Sequence, residues 1–151
     1  MTLAEGCYEY MFSNCINLTF ACDLPAENLT NECYQYMFSG CISLQWGPWI
    51  AANTVAPYCC MGMFSDCIYL FENIRLRATD LAEGCYQYMF KHCRNLDYVD
   101  IAAQNYDESY FKDWLYGVSP QGNIQCPETL ELPLNSSSGV PTGWSVNGEF
   151  I

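Results

Sequence analysis

No lysine or arginine occurs before Arg75, and the 151-residue chain sets five basic side chains against seventeen acidic ones. A formal net charge of −12 repels phosphate backbones and anionic lipid, which argues against nucleic acid and membrane surfaces as partners. The acidity itself is explained by the solubility of an otherwise apolar, tyrosine-rich chain. No apolar run approaches the ~18 residues that a membrane helix needs, so direct insertion is not expected. The opening MTLAEGCYEY has neither the basic stretch nor the apolar core of a secretion signal. Zinc-site spacing is missing too: there is no CxxC pair, and His92 is the only histidine.

What the sequence has is a repeat. LAEGCYEYMFSNCINL begins at Leu3, LTNECYQYMFSGCISL at Leu29, VAPYCCMGMFSDCIYL at Val55 and LAEGCYQYMFKHCRNL at Leu81, a period of 26 residues. Units of this size are too small to bury their own apolar face and must stack. Eight of the eleven cysteines fall into two columns, Cys7, Cys33, Cys59, Cys85 and Cys15, Cys41, Cys67, Cys93. Between them run a methionine column (Met11, Met37, Met63, Met89) and a phenylalanine column (Phe12, Phe38, Phe64, Phe90). These columns, with the leucines that open and close each unit, are the expected core.

The segment between the cysteines has helical spacing and predicts about two turns of helix, ended by Gly, Asn or Asp. The stretches LTFACDL, LQWGPWI, LFENIRL and LDYVDI, rich in β-branched and aromatic residues, predict one short strand per unit. One strand and one short helix per ~20–29 residues is the leucine-rich-repeat unit. The expected fold class is therefore α/β: a solenoid of four coils (3–28, 29–54, 55–80 and 81–105), with a parallel sheet on the concave side and short helices on the convex side.

The MFSGCISL core resembles the AFxxCxxL signature of the BspA-like leucine-rich repeats. It is most similar to the LAEGCYQYMFSGC-type repeats of gut-bacterial surface proteins and their phages. The resemblance covers residues 3 to about 105. It implies a curved parallel-sheet solenoid and a non-catalytic adhesion or recognition module that binds a protein or glycan at a cell surface or outside the cell. The alternative it carries is a structural or receptor-binding component of a phage virion.

Departures from the repeat mark the ends. Copy three has Cys60 and Gly62 where the others carry tyrosine pairs (Tyr8/Tyr10, Tyr34/Tyr36, Tyr86/Tyr88), and copy four reads as one residue short after Asp100. Residues 106–118 form a degenerate copy in which Tyr110 takes the first cysteine position, Trp114 and Leu115 replace Met-Phe, and Val118 replaces the second cysteine. Larger apolar residues in an atypical last unit predict a cap. Residues 119–151, with NSSSG and GVPTGWSV, predict a loop and a small hairpin or strand. No cap precedes Leu3. That predicts either a chain shortened on that side, the favoured reading, or an open first coil on which another subunit or further repeats dock.

The candidate chemistry is sparse. If the segments are helical, cysteines eight apart are too far apart to bridge, so the columns are expected to be reduced, structural thiols. The off-column Cys22, Cys60 and Cys126 are the likelier reactive ones, but with no basic neighbour to lower their pKa little reactivity is expected. A His92–Cys93 dyad is disfavoured because Cys93 belongs to a core column. Acidic residues do not recur at calcium-ligand spacing, and neither a phosphate loop nor a serine elbow occurs. No enzyme activity, metal or cofactor is expected. The tyrosine pairs are assigned to stacking between coils rather than to a binding stripe.

The binding residues expected on the concave face are Phe20, Trp46, Trp49, Phe71, Glu72, Arg75 and Tyr98. Phe20, Trp46, Glu72 and Tyr98 share one position of the repeat, beside the small residues Ala21, Gly47, Asn73 and Val99. Strand alternation then points the small residues inward and the large, variable ones outward.

Overall fold

In the computed structural model, which describes residues 3–71 and 73–150, the chain is a small α/β domain built around a parallel sheet with almost no helix. The strands are β1 (Ile74–Leu76), β2 (Tyr98–Ile101), β3 (Gly122–Gln125), β4 (Trp144–Val146) and β5 (Glu149–Phe150). They lie side by side in chain order, β1 to β4 parallel and β5 antiparallel to β4. The first two copies extend this line with isolated parallel bridges, Phe20 to Trp46, Leu24 to Ile50 and Asn28 to Thr54. Alternation is clear in β1, where Ile74 and Leu76 are buried and Arg75 is exposed.

The expected helices do not form, and this corrects the helical reading of the cysteine-to-cysteine segments. The one helix among the described residues is α1, Glu108–Phe111, a single turn capped by the Asp107 carboxylate, which accepts from the Ser109 amide at 2.8 Å. In the repeats, every fourth residue is left-handed instead. Gly6, Tyr10 and Asn14 have φ of 59°, 53° and 59°, and Glu32, Tyr36 and Gly40 follow at 56°, 49° and 73°. The third and fourth copies do the same at Tyr58, Gly62, Asp66 and at Gly84, Tyr88, His92. A helix cannot pass through such residues, so the backbone becomes a ribbon of linked turns.

Hydrogen bonding in the ribbon alternates residue by residue. The amides of Cys7, Glu9, Met11, Ser13 and Cys15 donate three residues back, to Ala4, Gly6, Tyr8, Tyr10 and Phe12. Those of Gly6, Tyr8, Tyr10, Phe12 and Asn14 donate to the next copy, to the carbonyls of Asn31, Cys33, Gln35, Met37 and Ser39 at 2.7–3.0 Å. The pattern recurs from copy two to three, from three to four, and from four to residues 109–116. Every ribbon amide is thereby satisfied, half within its copy and half across to its neighbour. Each left-handed residue that is not glycine costs about 1–2 kcal/mol of backbone energy, which the inter-copy bonds offset.

The apolar columns stack as their spacing requires. Ring centroids along Phe12, Phe38, Phe64 and Phe90 are 5.5, 5.7 and 5.8 Å apart, with planes within 8° of parallel. Tyr8 stacks on Tyr34 and Tyr10 on Tyr36. The outer tyrosine row then stops, because the Tyr36 ring occupies the space that a Cβ on Gly62 would need. Cys33, Cys41, Cys59, Cys67, Cys85 and Cys93 are all fully buried.

The C-terminal side is closed by two tryptophans. Trp114, whose carbonyl accepts the Phe90 amide as that of Met89 accepts the Phe64 amide, holds the methionine position. Its ring lies 6.3 Å from that of Phe90, and its Nε1 donates to the Gly139 carbonyl at 3.0 Å. Trp144 lies so close over Gly122 that a Cβ there would strike its ring, and its Nε1 donates to Ser119 at 2.8 Å.

Candidate binding surface

The outer side of the sheet carries a gradient of side-chain chemistry. At the first copies it is aromatic: Phe20, Trp46, Trp49 and Phe71 are 67%, 45%, 53% and 45% exposed. Trp46 and Phe71 meet edge to face with centroids 5.6 Å apart. Trp49 is held by its own amide, which donates to the Asp23 carboxylate at 3.1 Å. Farther along, the surface is charged. Arg75 projects from β1 and its Nε lies 3.2 Å from Asp100 Oδ2 on β2. With the arginine two-thirds exposed, that pair orients the side chains and adds little stability.

Arg77, which the sequence reading did not include, completes this part. Its Nε donates to Asn53 Oδ1 at 3.4 Å, and its guanidinium sits 6.0 Å from the centre of the Trp49 ring. Arg75, Arg77, Asn53 and Ala102 line a shallow hollow of about 120 Å³. The alternation that exposes Arg75 also exposes Arg77, so its place was available from the strand pattern.

The expected row is broken in one place. Phe20 bridges to Trp46 at the full repeat spacing, but Ile74 pairs with Val99 and Arg75 with Asp100, an offset of 25. The missing residue of copy four therefore falls between Leu96 and the strand, not after Asp100. This shift takes Tyr98 out of the 26-residue register; Tyr98 is half-buried, and Glu72 lies outside the described residues. Gly47 faces inward, since a Cβ there would meet the Ile74 side chain.

The cysteine chemistry is structural. The thiols of Cys41, Cys67 and Cys93 donate to the carbonyls of Phe12, Phe38 and Phe64 in the preceding copy, at 3.0, 3.1 and 3.0 Å. Burial pushes Cys33 and Cys41 up to about 11 and Cys85 to about 12. Burial likewise raises Cys67 and Cys93 above the ordinary thiol range. Cys59 and Cys60 lie 3.8 Å apart; their mutual hydrogen bond lowers the first and raises the second. Of the three off-column cysteines, Cys22 is exposed, whereas Cys60 and Cys126 are buried and so poorly placed to react. Cys7 and Cys15 of the first copy are exposed as well; the uncapped first copy predicts this for Cys7, and Cys15 is the one that sequence reasoning missed.

The His92 imidazole is taken up by Asp66, Nδ1 to Oδ1 at 2.7 Å, and by packing 5.5 Å from Tyr116, while the Cys93 thiol turns into the core. Among the described residues, no three His, Cys, Asp or Glu side chains converge as a metal site, and no helix is long and apolar enough to cross a membrane. Comparison with family models, curated proteins and solved structures finds no match to this chain.

Proposed function

We propose that the chain is a solenoid of leucine-rich-repeat type whose outer sheet face is a non-catalytic recognition surface for a protein or glycan, at a cell surface or outside the cell. The observation that carries this is the cluster of exposed Phe20, Trp46, Trp49 and Phe71 beside Arg75 and Arg77. The same stretches turn the aliphatic Leu24, Ile50, Leu76 and Ile101 inward, while Asn73, expected to face in, is exposed. Fold maintenance does not need large aromatics outside, and rigidly held aromatic and arginine side chains are the residues that dominate binding interfaces. The resemblance to BspA-like repeats supports the same class of function.

A virion component is the second reading. It is favoured by the apolar first copy, where Met11, Ile16 and Phe20 are more than half exposed, a surface suited to assembly into a larger particle. Both are tested with purified protein on arrays of mucin glycans and extracellular-matrix proteins, followed by the double variant Trp46→Ser, Trp49→Ser. Binding by the parent that falls at least about tenfold in the variant, with unchanged melting, supports the recognition surface. Equal binding by both refutes it. Coding sequences of capsid and tail components flanking the gene would support the virion reading.

A further inference from the structure

The first copy presents half of an interface whose other half is defined by the rest of the molecule. In copies two to four, alternate ribbon carbonyls accept an amide from the preceding copy; for copy two these are Asn31, Cys33, Gln35, Met37 and Ser39. Their counterparts Glu5, Cys7, Glu9, Met11 and Ser13 receive no hydrogen bond among the described residues. The second-column thiols of the later copies reach back to a phenylalanine carbonyl 29 residues earlier, whereas the exposed Cys15 thiol donates to no carbonyl among the described residues. Met11 is 55% exposed where Met37, Met63 and Met89 are 2%, 0% and 0%. Two apolar hollows, of about 330 and 260 Å³, lie among Phe12, Leu18, Phe20, Met11 and their neighbours.

We propose that this face binds a further copy of the same 26-residue repeat through that copy's amide edge. The occupant is fixed by hydrogen-bond complementarity. A row of acceptors spaced every second residue needs a row of donors at the same spacing, and ribbons with a left-handed residue every fourth position offer one. Two first-copy faces would set acceptor against acceptor. The opposite end of a second molecule is closed, because Ser138, Ser137 and Gly139 already take the Asp113 amide, the Leu115 amide and the Trp114 indole. The incoming copy would also supply the carbonyl for Cys15 and rings for the bare faces of Tyr8, Tyr10 and Phe12. The inference uses the ladder between copies, not the outer sheet face, so the arrays above and the following test fail independently.

The test extends the full chain with a second copy of residues 29–54 placed before Leu3, in phase, and compares it with a scrambled extension of equal composition. An extension built from residues 55–80 provides a second in-phase variant. Alkylation of each thiol in reducing buffer is followed by mass spectrometry. Cys7 and Cys15 are expected to slow by about tenfold or more, towards the rates of Cys33 and Cys41, and the melting temperature to rise. Unchanged rates in both in-phase variants overturn the proposal, as does equal protection by the scrambled extension. A reducing-condition dimer of the unextended chain that protects Cys7 and Cys15 would assign the face to a second molecule instead, and also overturns it.

Discussion

The Cys67 thiol donates to the carbonyl oxygen of Phe38, 29 residues earlier, at 3.1 Å, and that same oxygen accepts the amide of Cys41. The two cysteine columns therefore differ in kind. Cys85, in the first column, donates its thiol to no carbonyl among the described residues and acts as a small apolar filler.

A crossed substitution experiment separates the two. At Cys67, Ser keeps a donor, whereas Val removes it and adds bulk, costing about 1 kcal/mol for the bond and about 1–3 for overpacking. At Cys85 the order should invert, with Val tolerated better than Ser, whose hydroxyl is buried without a partner. Urea midpoints of the four variants check this; the same ranking at both sites would contradict it.

The phenylalanine column predicts a gradient along the chain. Phe64 is fully buried between Phe38 and Phe90, so Phe64→Ala should cost about 3–5 kcal/mol. Phe12 is half-buried and has a ring on one side only, so Phe12→Ala should cost distinctly less. Equal losses in chemical denaturation would mean that the first copy is covered in solution.

Alkaline pH should destabilise the protein from about pH 9 upward. The ordinary thiol value is 9.0, and burial holds Cys33 and Cys41 at about 11 and Cys85 at about 12 when folded. Above pH 9 the unfolded chain releases these protons and the folded chain does not. The unfolded state then binds fewer protons, and stability falls with rising pH, by about 1.4 kcal/mol per pH unit for each such thiol. Cys67 and Cys93 add to the slope in the same direction. A melting temperature that stays flat from pH 8 to 10.5 would contradict the burial of these groups.

Thiol counting gives the simplest check. Denatured, unreduced protein should titrate all eleven cysteines, and the folded protein should expose three quickly: Cys7, Cys15 and Cys22. Finding only one to three thiols after denaturation would mean that the columns are cross-linked.

The inward columns were legible because identical residues recur at one spacing and have only each other to pack against. Parallel strands followed from the same recurrence. The turn ribbon was hidden for two reasons. Its inter-copy bonds join residues 25 apart, outside any local window, and the spacing of Cys7, Met11 and Cys15 is four, which a helix face and a four-residue turn share. The signal was present in the column Asn14, Gly40, Asp66, whose residue types tolerate left-handed backbone. Tyr10, Tyr36 and Glu32 adopt the same conformation without advertising it. On the outer face, Trp46 could be placed from alternation, whereas Trp49, three residues on and out of phase with it, and the one-residue shift before Val99, with the position of Tyr98, depended on the fold.

The alternation of the ribbon amides also limits which insertions and deletions the chain can absorb. Removing one residue between Ala4 and Cys15 would exchange the two sets, so that amides aimed at the neighbouring copy turned inward and the local ones faced out. Removing two would restore that alternation but misplace the left-handed residues, which recur every four. The ribbon can change length only in steps of four. Single-residue changes belong at the corners or along the sheet edge, which is where the shift between the third and fourth copies lies.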